Sequence, residues 1–154
     1  MCAIRDVRSP AQDEATFTIR EFAMTDYPAV LSLWQEAGPG VSIRPSDQPE
    51  EVEKKLRRDP DLFLVAEEEG RLVGVIMGAW DGRRGWLHHL AVAPNRRRQG
   101  VGRALVRTVE GRLRERGCLK VNLLVFRENE SARRFYESLG YQEMTPIVAM
   151  GREL

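Results

Sequence analysis

The amino-acid sequence predicts a single α/β domain: a central mixed, mostly antiparallel sheet of six to seven strands with helices on both faces. Three observations carry this expectation. The chain has 154 residues, 42% hydrophobic and 31% charged, which suits one hydrophobic core and is too short for two ordinary domains. Strand-like segments come first, largely as a meander, and a strand–helix–strand–helix–strand order follows, the pattern of a mixed sheet. Within it, the crossover from a strand at 86–92 through a helix to a strand at 120–125 should be a right-handed parallel unit.

The elements follow from local pattern. Residues 1–15 show neither helical nor strand period and are expected to be a flexible leader, with the domain at 16–154. Thr16 to Phe22 alternates as a half-buried strand does, and Thr25 and Asp26 are candidate caps for a helix carrying Val30, Leu31, Leu33 and Trp34. Gly38-Pro39-Gly40 ends that helix, and Ser46 or Asp47 can cap a second, polar helix through Arg58, expected as a solvated face beside a cleft. Leu62–Glu67 and Arg71–Trp80 read as a hairpin turned at Glu68-Glu69-Gly70, and Asp81 to Gly85 turns the chain into Trp86–Val92. From Gly100 to Arg116 a helix is predicted, because Val101, Leu105, Val106, Val109 and Leu113 fall at offsets of 0, 4, 5, 8 and 12. Lys120–Val125 is a short apolar strand, a helix opens at Glu128 or Asn129 and runs to Leu139, and a strand pair is expected at Tyr141–Glu143 and Ile147–Gly151.

Charge and cysteines narrow the function classes. Twenty-four Lys and Arg against 23 Asp and Glu leave a net charge of +1, unlike a nucleic-acid coat or a polybasic membrane anchor. Cys2 and Cys118 form no CxxC pair, so neither a zinc ribbon nor a disulfide scaffold is expected. No stretch approaches the roughly 18 apolar residues a membrane span needs, and the expectation is a soluble cytoplasmic protein without metal, nucleic-acid or membrane partners.

The segment Leu90-Ala91-Val92-Ala93-Pro94-Asn95-Arg96-Arg97-Arg98-Gln99-Gly100-Val101-Gly102-Arg103 carries the chemistry. A strand ends, a basic loop follows, and two glycines stand where a helix begins, so unpaired backbone N–H groups converge on one point as an anion nest. From Arg96 to Arg116 eight arginines stand against Glu110 and Glu115, a local excess of six positive charges. A Walker loop would need Gly-Lys-Ser/Thr, and a Rossmann fingerprint a third glycine after a first buried strand; neither is present.

Arg97-Arg98-Gln99-Gly100-Val101-Gly102, preceded by Leu90-Ala91-Val92-x-Pro94, resembles the Arg/Gln-x-x-Gly-x-Gly/Ala motif of the GNAT superfamily of N-acetyltransferases. A second segment, Asn129-x-x-Ala132-x-x-Phe135-Tyr136-x-x-x-Gly140-Tyr141, is similar to another pattern of that superfamily, and the likeness extends over about residues 16–152. The chain looks most like the small bacterial stand-alone members. The resemblance implies the GNAT-like form of the predicted fold and acetyl-CoA as cosubstrate. It implies that backbone amides of Arg97, Arg98, Gln99, Gly100, Val101 and Gly102 hold the pyrophosphate, with an arginine at 98 or 103 on other phosphate oxygens. Backbone at Leu90, Ala91 and Val92 would pair with the pantetheine arm as with an added strand. Asn129 would hydrogen-bond the arm, with Ala132 in the same motif, and relatives that dimerise make a homodimer possible.

Acetyl transfer to an amine needs a neutral nucleophile, a polarised thioester carbonyl and a proton for the departing thiolate. By the resemblance Tyr136 supplies that proton, and a backbone N–H near Val92 polarises the carbonyl. His88, in register with a cleft histidine of the arylalkylamine branch, is the favoured base, with an ordered water, as many family members use, as the alternative; strand alternation is expected to send His88 and His89 to opposite faces. The branch that acetylates ribosomal-protein N termini carries a glutamate where this chain has Leu124, a departure from that branch. Trp34, Ile43 and Arg44 are candidates to line an acceptor pocket, with Asp47, Glu50, Glu51 and Glu53 as cation attractors or simply a solvated face. The expected function is therefore direct acetyl transfer from acetyl-CoA to a primary amine of a small molecule or peptide. The competing readings are a non-catalytic acyl-CoA sensor and an RNA-binding protein using Arg96–Arg98, the latter without an RRM-type aromatic sheet motif to support it.

Overall fold

The five apolar residues spaced for one helical stripe, Val101, Leu105, Val106, Val109 and Leu113, are each 1% exposed or less. They belong to α3 (Val101–Glu115), and burying each stabilises the fold by roughly 1.5–3 kcal/mol relative to exposure. The computed structural model describes residues 16–154, so the expected leader at 1–15 lies outside the described residues. The sheet beneath α3 is cleared for it by small residues. A Cβ on Gly74 would stand 2.7 Å from Val101 Cγ1, one on Gly78 2.6 Å from Val109 Cγ1, and one on Gly85 2.6 Å from Leu113 Cδ1. Three glycines thus form a trough into which the stripe sinks one residue per turn.

The strands are β1 (Thr18–Glu21), β2 (Phe63–Glu68), β3 (Arg71–Trp80), β4 (Gly85–Val92) and β5 (Val121–Leu123), in spatial order β1-β2-β3-β4-β5. The first three pairings are antiparallel and β4–β5 is parallel, joined through α3 as the crossover pattern predicts. On the α3 face, Leu62, Leu64, Ile76 and Leu87 complete a core to which Phe135 and Tyr136 of α4 (Glu130–Ser138) add partly buried rings. On the opposite face α1 (Tyr27–Glu36) and α2 (Pro49–Arg58) cover Phe63, Val65 and Val75 with Val30, Trp34 and Val52. Helix α2 buries only Val52, in line with its thin apolar content.

The mixed α/β sheet with helices on both faces is as expected, but among the described residues it has five strands rather than six or seven. Tyr141–Glu143 and Ile147–Gly151 form no strand. Proline 146 removes a ladder donor in that tail, a turn closes from Ile147 N–H to the Met144 carbonyl, and Ile147, Val148 and Met150 stay 69–94% exposed. The neighbouring edge, β5, is itself only three residues long.

Candidate active site

The parallel ladder between β4 and β5 pairs Gly85 with Val121, Trp86 with Asn122 and Leu87 with Leu123, and goes no further. Beyond Leu87 the two strands part, so the β5-side edge of His88–Val92, including Leu90, Ala91 and Val92, has no strand partner among the described residues. An unpaired row of N–H and C=O groups is a template for an extended amide-bearing molecule. An open groove of about 1270 Å³ runs along β5, lined among others by Trp86, Asn122, Leu123, Phe126, Tyr136 and Ile147; it touches the fork at Trp86 and Asn122, while His88, Leu90–Val92, the 97–102 loop and Asn129 lie outside its lining. The buried Asn122 Oδ1 has no hydrogen-bond partner among the described residues, an acceptor left at the fork for an N–H to satisfy.

Past β4, a short turn at Pro94–Arg96 leads into Arg97, Arg98, Gln99 and Gly100, all exposed. Arg98 has φ 61° and Gly100 φ 85°, so two left-handed residues curl the backbone just ahead of α3. Gly100 is the N-cap and contributes no side-chain cap, leaving the first N–H groups of α3 open at Val101, Gly102 and Arg103. No Cβ is tolerated cheaply at Gly100 because of its φ, whereas Gly102 is small for packing: a Cβ there would stand 3.2 Å from Phe135 Cζ. The loop is anchored by its own side chains. Arg97 donates to the carbonyls of Val92 and Glu36, Gln99 to that of Asn95, and Arg96 pairs with Glu68. Arg98 and Arg103 are exposed and have no carboxylate partner among the described residues. Farther along α3, Arg107 pairs with Glu110, Arg112 with Glu21, and Arg116 with Asp59 and Asp61. Arg114, exposed near the end of α3, also has no carboxylate partner among the described residues, so the unpaired arginines of the segment are Arg97, Arg98 and Arg103 at the loop and Arg114 away from it.

Helix α4 approaches from the groove side. Asn129 is its N-cap, with Oδ1 accepting from the Ala132 N–H, which leaves Nδ2 as the donor available for a ligand. A Cβ on Gly40 would lie 3.2 Å from that Nδ2, so the α1–α2 loop reaches over to α4. Tyr136 sits edge-on between Phe135 and Tyr141, with ring centroids at 5.0 and 5.6 Å. Burial pushes its phenol up to about 12, so it remains a proton donor throughout the physiological range.

The histidines depart from simple alternation. Val75 pairs with Ala91 and Met77 with His88, so Ile76 alone faces both His89 and Leu90: a β-bulge. His89 occupies it at φ 51°, a left-handed conformation of order 1–3 kcal/mol cost for a residue with a side chain. The extra residue corrects the expectation of opposite faces. His88 shares the face of its partner Met77, on the α1/α2 side, and the His89 ring meets Trp34 there edge-on at 5.1 Å. Trp34 Nε1 donates to the His89 carbonyl. His89 Nε2 stands 2.9 Å from Oδ1 of Asp47, a close polar contact that lies off the N–H axis and is not a linear hydrogen bond. His88 stacks on Trp86 with ring planes 5° apart and centroids at 6.2 Å. Burial, then the charges of His89 and Lys55, hold the His88 imidazole below the usual histidine range.

The acceptor-side candidates divide. Trp34 is core, at 0% exposure, not pocket lining. Ile43 and Arg44 are exposed. Asp47, which the composition of its surroundings suggested was solvated, is 5% exposed. It accepts from the Arg44 N–H, and its carbonyl from the Tyr27 hydroxyl. Sequence reasoning also passed over Trp86 and Asn122; their only signal was adjacency to the parallel crossover, which pairs them across the fork.

The described residues contain no cluster of His, Cys, Asp or Glu that could hold a metal, and no helix long and apolar enough to cross a membrane. Among solved structures, Ard1 from Thermoplasma volcanium superposes with a TM-score of 0.75 at 29% identity, over 85% of this chain and 86% of that one. The PaiA N-acetyltransferase of Thermoplasma acidophilum, solved in complex with coenzyme A, shares the fold at TM-score 0.74 and 21% identity, over 83% and 91%. The acetyltransferases SG1711 of Sodalis glossinidius and ECA0875 of Pectobacterium atrosepticum are each 41% identical over 137 residues, 88% of this chain and 94% of theirs. The model of the acetyltransferase (GNAT) family matches residues 19–141. With a family match across most of the domain and such relatives along nearly their whole length, the chain belongs to the GNAT family and is an acetyl-CoA-dependent N-acetyltransferase.

Proposed function

We propose that the enzyme moves the acetyl group of acetyl-CoA directly to a primary amine of a small molecule or peptide while both are bound. The observation that carries this reading is the end of the β4–β5 ladder at Leu87 and Leu123, which leaves the β4 edge open next to the uncapped start of α3. Backbone N–H groups from Arg97 to Gly102 hold the pyrophosphate, with Arg98 and Arg103 supplying charge, and the edge at Leu90–Val92 pairs with the pantetheine amides. Asn129 Nδ2 and Asn122 Oδ1 are the side-chain donor and acceptor for the arm. The Phe135 ring, seated against Gly102, and the capped Ala132 fix α4 so that Tyr136 faces the groove.

The ammonium of the acceptor gives one proton to His88, whose neutrality near pH 7 follows from its burial. The freed nitrogen lone pair bonds to the thioester carbonyl carbon, whose oxygen is held by a backbone N–H near Val92. The C–S bond breaks, the thiolate sulfur takes the Tyr136 hydroxyl proton, the second proton lost by nitrogen restores the phenol, and His88 releases its proton to water. One proton leaves per turnover. With Arg96, Arg107, Arg112 and Arg116 held in ion pairs, nucleic acid is not a partner in this reading. A free Cys118 accords with a cytoplasmic setting. Exposed Leu124, Phe126, Ile147 and Val148 accord with a homodimer.

The test is a panel of small amines and N-terminal peptides incubated with acetyl-CoA, read by released thiol. Turnover with one class of amine is the expected result. Tight coenzyme A binding with no turnover on any amine would favour the acyl-CoA sensor instead.

A further inference from the structure

We propose that Asp47 and His89 form a positioning pair for His88: the aspartate anchors the ring of the bulge residue on the acceptor side of the sheet, and the bulge held in this way sets both imidazoles on that one face. The inference deepens the acetyl-transfer reading and rests on His88 as the group that takes the amine's proton. Three contacts define the pair. The Asp47 carboxylate, 5% exposed, lies 2.9 Å from His89 Nε2. The His89 carbonyl accepts from Trp34 Nε1, and its ring lies edge-on to Trp34. Asp47 is itself fixed by the Arg44 N–H on Oδ2 and the Tyr27 hydroxyl on its carbonyl.

A histidine at φ 51° is held there by its surroundings, since the free chain avoids that conformation. The consequence is geometric. With the extra residue absorbed at position 89, His88 turns to the α1/α2 face beside Trp86, which lines the groove, instead of lying opposite its neighbour. The electrostatic consequence follows from proximity. Two adjacent imidazoles on one face interact, and His89 lowers the proton affinity of His88; among the described residues the carboxylate in contact is on His89. The other charged groups near them are Lys55 on α2, itself paired to Asp59 at 2.7 Å, and Arg44 ahead of α2. Lys55 acts on His88 in the same sense as His89, and the Asp47 carboxylate in the opposite sense and more weakly than either. A base for an ammonium must be unprotonated when the substrate arrives, and burial of His88 on this face, with the His89 ring held beside it, favours that state.

The chain has two histidines, so its imidazole Cε1–H proton spectrum holds two resonances, each assigned by one substitution. Asparagine tolerates the left-handed region, so His89→Asn keeps the bulge while removing the second imidazole. In His89→Asn the His88 resonance is expected to titrate at higher pH than in the native chain, and the acidic limb of kcat/KM to move the same way. Asp47→Asn retains an acceptor for the Arg44 N–H and removes the counter-charge. It is expected to lower kcat by about threefold or more while the coenzyme A Kd stays within about twofold. A His88 resonance that titrates identically in the native chain and in His89→Asn overturns the proposal, as does an Asp47→Asn enzyme with native kcat. The resonance titration needs no turnover, so a native chain that acetylates no amine counts against the acetyl-transfer reading and leaves this test intact.

Discussion

Gly102 at the start of α3 faces Phe135 of α4 so closely that a Cβ would stand 3.2 Å from the ring Cζ. The second glycine of the anion loop therefore joins two helices as well as clearing backbone for a ligand, and the ring it seats is next in sequence to Tyr136. Cofactor loop and proton donor are coupled by one packing contact.

Gly102→Ala should therefore cost about 1 kcal/mol, and Phe135→Leu in the same chain should restore part of it, a non-additivity read by urea unfolding of the double-mutant cycle. At Gly100 nothing lies within 4 Å of a Cβ, so Gly100→Glu meets only the strain of φ 85° and brings an anion to the nest. Acetyl-CoA affinity is expected to fall by more than about tenfold with the far-ultraviolet spectrum preserved. Unchanged calorimetric affinity would remove the nest from the account.

Tyr136→Phe is expected to reduce kcat by about tenfold or more with little change in the coenzyme A Kd. Because burial pushes the phenol up to about 12, the basic limb of the native pH profile below pH 10 should belong to another group and persist in the variant. Equal kcat values would return Tyr136 to a packing role beside Phe135 and Tyr141.

The His88 pH dependence has a definite sign. Its proton affinity is lowered in the fold, chiefly by burial, so kcat/KM should rise as pH increases through a value below the ordinary histidine range near 6.5 and be level above it. His88→Asn should abolish that limb. The same lowered value means the unfolded chain binds the proton more readily, so the native fold should lose stability as pH falls below about 6.5, and His88→Asn should lessen that loss in thermal melts.

Gly78→Ala tests the trough under α3. The new methyl would meet Val109 Cγ1 at 2.6 Å and the Leu62 carbonyl oxygen at 2.9 Å, and the backbone oxygen cannot rotate aside. A loss of about 1–3 kcal/mol in chemical denaturation is expected. Gly111→Ala, with nothing within 4 Å on the same helix, should be neutral or stabilising.

Much of this protein is written in local pattern. The α3 stripe, the meander from Phe63 to Val92, the left-handed glycine ahead of a helix, and the Asn129 cap are each set by a few consecutive residues. Periodicity, turn chemistry and capping act over one or two turns of chain, so such elements are legible before any folding. What tertiary structure decided depends on residues far apart in sequence. The face of His88 was set by one extra residue in β4 relative to β3, which no single-strand alternation reveals. Burial of Asp47 was set by Tyr27 and His89, 20 and 42 positions away, closing over a segment that looks solvated on its own. The end strands were absent because Tyr141–Gly151, though apolar enough, met a three-residue edge at β5 and carried a proline. Strand pairing and charge burial are pairwise properties, and a linear sequence states the residues without stating the pairs.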